Sequence, residues 1–445
     1  MRLTIFNIFL FISIVNNAQD TLNLSDAIAI GLENNYQIRI SQKQLEIDKN
    51  NNSWGAAGRF PNISFSVGGN GIADRYVDPS LLYLAQEADS SIAVNTQQTL
   101  TFTPAINLNW VLFNGLAINI TKAKYAYIEQ LSMGHSVIVV ENTLQSIILA
   151  YQFALLQKEA LQVLQEVKDL SGDRYRYIQS KKEFGNAVTF DVLQAHNNYL
   201  ADSANLLRQE INYKNALRNL NLILAEPVDR EYVLQDEPLS VDQEFILGDL
   251  INKIESNNRT LHNQYINQEI LKQNVDLSKS KLYPMLSLSA GFGRTYTGLY
   301  GDVENYLWDN NGYRANANLS LSYTLSNGGN VRRAIQNARI QEEMGELQLE
   351  EMRQALYNQL FNTLEQYNIK RQLLHVAEQG IKSARLNLQI AEEKYRSGAI
   401  SSFNYRDIQL IYLNAARDQL EARYNVIDSY TELLRLTGGI ITEYE

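Results

Sequence analysis

The chain is written twice, and this duplication limits its fold more than any other feature. Phe60-Pro61 recurs as Tyr283-Pro284, and at the same spacing Leu24, Asp26, Ile28, Asn34 and Asn35 meet Leu247, Asp249, Ile251, Asn257 and Asn258. Ser64, Ser66 and Gly68 likewise meet Ser287, Ser289 and Gly291. Further on, Asn114-Gly115 matches Asn327-Gly328. Gly185, Phe190, Tyr199, Leu200, Leu207 and Leu220 then meet Gly398, Phe403, Tyr412, Leu413, Leu420 and Leu433. The spacing shortens between the two blocks, so the first half carries about ten extra residues between 69 and 113, in a tolerant loop. One structural plan is executed twice: a first repeat over 19–225, a linker over 226–245 with Pro227 and Pro238, and a second repeat over 246–445.

Each half reads as two short helices, a strand, a loop, a strand, a very long helix, a tight turn and another long helix. The strands are marked by period-two alternation, which puts successive side chains on opposite faces. Ile63, Phe65 and Val67 alternate with Ser64 and Ser66, and Ile106, Leu108 and Trp110 with Asn107 and Asn109. Leu286, Leu288 and Ala290 alternate with Ser287 and Ser289, and Ala315 to Leu325 with Asn316, Asn318, Ser320, Ser322 and Thr324. The predicted strands cover about 61–69, 101–112, 284–293 and 313–325.

Leu116 to Phe184 contains no proline and has glycine only at 134 and 172, and Val331 to Ser397 again lacks proline. At 1.5 Å per residue, each span makes a rod of about 100 Å. Helices are predicted over 116–184, 189–225, 331–397 and 402–436. Ala377, Ile381, Ala384, Leu388, Ala391 and Tyr395 recur at alternating steps of four and three, the seam of a coiled coil. Leu144, Ile148, Tyr151 and Leu155 repeat that spacing, as do Leu200, Ala204, Leu207 and Ile211.

Met1-Arg2, the apolar run Leu3–Val15 and the small residue Ala18 have the layout of a secretory signal peptide over 1–18. No other stretch reads as an apolar run of spanning length. A membrane location therefore has to be built from strands, which lipid tolerates only in closed barrels. Four strands cannot close a barrel, for which about eight is the minimum. Several copies would have to complete one, and cyclic symmetry is the default. Three copies give twelve strands, although the strand count also admits two or four.

Composition removes other classes. With 39 Lys+Arg against 49 Asp+Glu, the net charge of −10 offers no basic surface for nucleic acid. The absence of cysteine removes disulfides, thiolate metal sites and a lipid anchor on cysteine. The four histidines, at 135, 196, 262 and 375, are scattered, so no metal or catalytic site is expected. Gly291-Phe292-Gly293 falls in a strand with no helix after it, unlike a dinucleotide fingerprint. Gly328-Gly329-Asn330 precedes a helix but lacks the Lys-Ser/Thr of a phosphate loop. The 26 tyrosines suit a lipid–water belt. Tyr283, Tyr313 and Tyr323 border strands, and Tyr76, Tyr83, Tyr296, Tyr300 and Tyr306 are expected in the loops facing outside.

These features together resemble the TolC-type outer-membrane efflux channels over the whole mature chain. The most specific are the two hairpin turns, Phe184-Gly185-Asn186-Ala187-Val188-Thr189-Phe190-Asp191 and Ser397-Gly398-Ala399-Ile400-Ser401-Ser402-Phe403-Asn404, with Asp407 following the second. The resemblance implies an α+β membrane protein: a homotrimer with a twelve-stranded outer-membrane β-barrel, four strands per chain, continuous with a long periplasmic α-helical coiled-coil barrel. It implies a Gram-negative outer-membrane location extending into the periplasm, and neither catalysis nor a cofactor. It also implies passive exit for substrates driven by an inner-membrane efflux pump or ABC transporter through a periplasmic adaptor, in tripartite efflux or type I secretion. The alternative is a periplasmic coiled-coil scaffold or adaptor without a pore, which would carry one strand hairpin rather than two.

The resemblance also assigns residues. Asn404 and Asp407 match positions that form acidic rings at the pore entrance, with Asn404 departing from the acidic pattern. Asp191 and Tyr395 match a latch between hairpins, and Gln194 lies beside them on the entrance side. The basic latch partner is replaced by Ile400, and Arg396 and Arg406 are the cations available nearby. Phe184, Gly185, Asn186, Ser397, Gly398 and Ala399 are the expected adaptor-contacting tips.

Overall fold

In the computed structural model, residues 20–77, 94–235, 239, 241–301 and 308–444 are described. The expected signal peptide, Tyr83 and Tyr306 lie outside them. In chain order the elements are β1 (Asp20–Leu22), α1 (Leu24–Asn34), α2 (Tyr36–Asn51), β2 (Asn62–Val77), β3 (Val94–Asn114), α3 (Ala117–Glu183) and α4 (Thr189–Leu224). β4 (Tyr232–Leu234), α5 (Leu247–Asn257), α6 (Arg259–Ser280), β5 (Met285–Gly301), β6 (Trp308–Ser322), α7 (Asn330–Arg396), α8 (Ser402–Leu436) and α9 (Ile440–Tyr444) follow. The chain divides into two units. One comprises the segments up to Lys43, Gly134–Asn263 and Glu351–Glu445, and the other Gln44–Met133 and Gln264–Glu350.

The second unit holds a four-stranded antiparallel sheet in the order β2-β3-β5-β6. Each repeat contributes one hairpin, and the hairpins join through β3 and β5. β2, β3 and β5 run well past their predicted ends, whereas β6 begins earlier than predicted, at Trp308, and stops at Ser322 rather than 325. Tyr76 lies in β2, and Tyr296 and Tyr300 in β5, rather than in loops. The alternation weakens there because Gly68, Gly69 and Gly71 in β2 and Gly298 in β5 carry no side chain to mark a face. Pro104, in the central strand β3, cannot donate to a ladder. Gly293 leaves room for it: a Cβ there would come within 2.9 Å of the Pro104 carbonyl oxygen.

Both long-helix starts in this unit use the repeated Asn-Gly. Asn114 Oδ1 accepts the Ile118 N–H at 3.3 Å, and Asn327 Oδ1 the Val331 N–H at 3.5 Å. The residues that follow have positive φ, at Gly115 and Leu116 and again at Gly328 and Gly329. Leu116 therefore occupies a conformation that its counterpart Gly329 adopts without a steric cost.

The first unit is helical apart from the parallel pair β1–β4. That pair lies partly in the linker, where sequence reading found no strand. Tyr151 fixes it, with Oη 3.1 Å from the carbonyl oxygens of both Leu22 and Gln235. The duplicated asparagines explain why the two halves share a plan. Asn35 Oδ1 accepts the Gln37 N–H at the start of α2, while its Nδ2 donates to the Ile223 carbonyl near the end of α4 at 2.7 Å. Asn258 repeats both bonds, accepting the Leu261 N–H at 2.8 Å and donating to the Leu436 carbonyl at 2.9 Å. One side chain caps one helix and satisfies an orphan carbonyl of another.

Two of the three predicted seams pack within the chain. Leu144, Ile148, Tyr151 and Leu155 are buried, as are Ala384, Leu388, Ala391 and Tyr395. The third does not: Leu200, Leu207 and Ile211 are 50%, 60% and 59% exposed. α4 instead buries Ala195, Asp202, Leu206, Gln209, Ala216 and Leu220. One further expectation changes. α3 contains an 18-residue stretch of mean hydropathy 1.3, apolar enough by length and composition to cross a membrane, and half of that stretch is buried inside the chain.

Asn258→Asp keeps the cap acceptor and removes the amide donor. It is expected to lower unfolding stability by about 1–3 kcal/mol, the cost of a buried carbonyl left unpaired. Asn258→Leu, which loses the cap as well, is expected to fall further. Thermal unfolding of the two variants beside the unchanged chain checks the order.

Candidate functional site

The two faces of the sheet have opposite chemistry. One is apolar across all four strands, with rows Ile63–Leu108–Ala290–Ala317 and Phe65–Ile106–Phe292–Ala315. The other is built from Asn, Ser, Thr and Gly, with rows Asn62–Asn109–Ser289–Asn318 and Ser64–Asn107–Gly291–Asn316. Side-chain contacts agree with these faces. Asn107 Nδ2 donates to Ser66 Oγ at 3.0 Å, and Phe292 stacks on Tyr313 at 6.2 Å. Neither face is covered: Ile63, Phe65, Ile106, Phe292, Leu319 and Leu321 are exposed. Among the described residues, the order β2-β3-β5-β6 also leaves β2 and β6 as free edges.

Aromatic residues bound the apolar face. Toward the strand ends joined to helices lie Trp110, whose Nε1 donates to the Arg59 carbonyl at 2.8 Å, and Phe113. Toward the far ends, Phe102 meets Tyr296 at 6.1 Å. Arg294 lies over the rings of Tyr296 and Tyr313 at 4.6 and 5.0 Å and donates to Asn311 Oδ1 at 2.7 Å.

The two helix turns, in the other unit, share one geometry. Gly185 and Gly398 have φ of 74° and 76°, which glycine adopts without steric cost. The N–H of Asn186 donates to the Lys181 carbonyl and that of Ala399 to the Lys394 carbonyl, both at 2.8 Å, closing each helix with a Schellman motif. The turns differ afterwards. Ser401 Oγ caps α8 by accepting the Asn404 N–H at 3.1 Å, whereas Val188 offers α4 no side-chain cap. Phe184, Gly185, Asn186, Ser397, Gly398 and Ala399 are all exposed. Phe184, Phe190 and Phe403 are 80%, 71% and 80% exposed, an unusual apolar load on helix ends.

Of the expected entrance residues, Asp191, Gln194, Asn404 and Asp407 are exposed, while Tyr395 is buried. Tyr395 stacks on Tyr405 at 4.8 Å and meets Tyr177 edge-on at 5.4 Å. Burial pushes both the Tyr395 and Tyr405 hydroxyls above the usual tyrosine range. Among the hydrogen bonds of the described residues, none joins Asp191 to Tyr395.

The link between the two hairpins lies elsewhere. Arg406 makes a bidentate pair with Asp202 at 2.6 and 2.8 Å, and Asp202 is 1% exposed. Arg174, also buried, donates from Nη1 to the Ser402 carbonyl at 3.3 Å, while its Nε has no partner. Burial, and then the Arg406 guanidinium, hold Arg174 below the usual arginine range. Arg396 faces Glu392 on its own helix instead. Sequence reading missed Asp202 because the apolar stripe of α4 drew attention to the opposite face. The signal was its position, seven residues before Gln209 and seven after Ala195 on the buried face.

Asp202→Ala leaves the half-buried Arg406 without its carboxylate, beside the buried Arg174. Loss of one partner from such a pair costs about 3–5 kcal/mol, whereas the exposed Asp191→Ala is expected to change stability little. Chemical denaturation of the two variants side by side checks the contrast.

Residues 250–439 match the family model described as "Outer membrane efflux protein". The chain is 23% identical over 406 residues to the outer membrane protein TolC of Vibrio cholerae, covering 82% of this chain and 88% of that one. It is 22% identical over 259 residues to TolC of Escherichia coli, covering 57% of this chain and 52% of TolC, so the match spans about half of that relative. Among solved structures, the CmeC outer membrane channel of Campylobacter jejuni superposes with a TM-score of 0.72 at 15% identity, covering 94% of this chain and 85% of CmeC. A membrane protein from Pseudomonas aeruginosa gives a TM-score of 0.74 at 15% identity, covering 93% and 92%. Over its second repeat the chain matches the outer membrane efflux protein family, its sequence is similar to TolC, and the fold of the whole chain is that of the outer-membrane channels.

Proposed function

We infer that this chain is the outer-membrane channel of an export assembly, giving passive exit to substrates that an inner-membrane pump drives through a periplasmic adaptor. The observation that carries this reading is the bare four-stranded sheet, with one apolar face, one polar face and two free edges. Such a sheet is an aggregation hazard in water. In lipid it needs its edges closed and its polar face turned to a water-filled interior. β2 and β6 run antiparallel in this order, so the β6 edge of one copy can pair with the β2 edge of the next. The apolar face spans ten residue steps from Leu286 to Tyr296. At about 3.4 Å per residue and a tilt of about 40°, that is about 26 Å of height, matching the band of barrels in outer membranes.

Three copies would make the twelve strands of the barrel and a homotrimer. The exposed stripe Leu200, Ala204, Leu207 and Ile211 has the spacing of a coiled-coil seam with no partner helix among the described residues. A neighbouring copy in the periplasmic helical barrel supplies one. At the entrance, Asp407 becomes a ring of carboxylates around the axis, which attracts cations. Asn404 weakens that ring, while Asp191 and Gln194 flank it. Phe184, Gly185 and Asn186 and, in the second repeat, Ser397, Gly398 and Ala399 present the tips to the adaptor.

Negative-stain microscopy of protein extracted from outer membranes is expected to show three-fold particles. Leu207→Asp with Ile211→Asp is expected to abolish them and leave monomers of normal helix content by circular dichroism, whereas compact monomers of the unchanged chain would favour the pore-free scaffold. Asp407→Ala is expected to reduce block of single-channel current by divalent cations, and equal block in both proteins defeats the ring.

A further inference from the structure

The polar face of the sheet is almost uncharged. Its inward positions carry Ser64, Ser66, Asn70, Thr101, Asn107, Asn109, Ser289, Thr295, Asn316 and Asn318 among others. Arg314 breaks this pattern. It pairs with Gly293 in β5, in the row that continues to Ala105 and Ser66. Its parity is that of Asn316 and Asn318, opposite to Tyr313 and Ala315. Contacts fix that parity independently: a Cβ at Gly291 would come within 2.9 Å of Asn316 Oδ1 and 3.5 Å of Asn107 Oδ1.

The surroundings leave the guanidinium open. Gly293 directly opposite has no side chain, and Gly68 and Gly291 lie in adjoining rows. Arg314 is exposed, and it appears in no hydrogen bond or ion pair among the described residues. The other charge on this face among the described strand residues is Asp74, eight positions farther along β2 from Ser66. Arg294 is the useful contrast: the same side chain on the opposite, apolar face, held by Tyr296, Tyr313 and Asn311.

We propose that Arg314 sets the ion preference of the barrel, where three copies place a ring of permanent positive charge in an otherwise uncharged stretch of the lining, favouring anionic solutes over cationic ones. The proposal rests on the barrel reading above. A ring of one sign inside low-dielectric walls concentrates counter-ions and repels co-ions. Because Asp407 offers a ring of opposite sign at the entrance, the informative quantity is the change caused by each variant, not the sign of the total preference.

The test is the chloride-to-potassium permeability ratio of the full-length protein in planar bilayers under a potassium chloride gradient. Arg314→Gln is expected to lower the ratio by at least about twofold, well below the about tenfold or more by which charged clefts can alter local ion concentration, and Arg314→Glu to lower it further. Arg294→Gln, which removes the same charge from the other face, is expected to leave it unchanged. The chain has no cysteine, so Arg314→Cys carries a single thiol. Its modification by a trimethylammonium reagent is expected to restore the ratio, and by a sulfonate reagent to depress it. Conducting trimers whose ratio ignores Arg314→Gln, or follows Arg294→Gln equally, overturn the proposal and leave the barrel intact. Failure to find three-fold particles at all overturns the barrel, and this proposal with it.

Discussion

Backbone N–H and C=O groups along the free edges of β2 and β6 need partners, and this need organises the rest of the structure. In water, an edge strand can be blunted by charge, proline or a covering loop. Here both edge strands are long, and the sheet between them is uncovered on both faces. Within lipid, only another strand satisfies such an edge. On the barrel reading proposed above, a chain with this sheet is an incomplete object, and its helices carry the same mark: α4 buries one apolar stripe and leaves another exposed among the described residues. Sheet and helix, in separate units, point to the same conclusion through different chemistry. One lacks hydrogen-bond partners and the other lacks apolar contacts.

The duplication makes this economical. Asn35 and Asn258 each perform two bonds that join the short helices of a repeat to its last long helix, and Asn114 and Asn327 each start a rod. Where the copies diverge, the reason is local. Leu116 and Gly329 share a positive-φ conformation, and only the second is glycine. Ser401 caps its helix where Val188 does not. The second repeat is the better formed at both junctions, and the matched family model also lies within that repeat.

Much of this was legible in the residues. Long spans without proline and with a 3–4 apolar period read as helices, and alternation of Asn and Ser with apolar residues gives both strand and face. What escaped reading has identifiable causes. Glycine blanks the alternation, so the predicted strands end at Gly69 and Gly293 while β2 and β5 run on to Val77 and Gly301. β1 and β4 are three residues each and pair across the whole first repeat, a distance over which local pattern says nothing. Asp202 and Arg406 come from different repeats, and neither position is charged in its counterpart, Ala415 and Leu193. Repeat comparison rewards what is shared, so a charge pair made from two departures is invisible to it.

That pair also says what kind of packing holds the hairpins together. The apolar cluster near the turns includes Leu164, Val167, Leu206, Leu388 and Leu413, and would accept several registers of helix against helix. Threaded through it are Arg174, Asp202 and Arg406, whose hydrogen bonds have demanding geometry. Burying such groups contributes little net stability, because desolvation offsets the attraction. Their effect is on register: a bidentate guanidinium–carboxylate contact exists at one alignment of α4 against α8 and is lost one residue away. The hairpins are thus cemented by Leu and Ala but aligned by charge, and a change that spares the first and removes the second leaves helices that still pack yet no longer know where to stop.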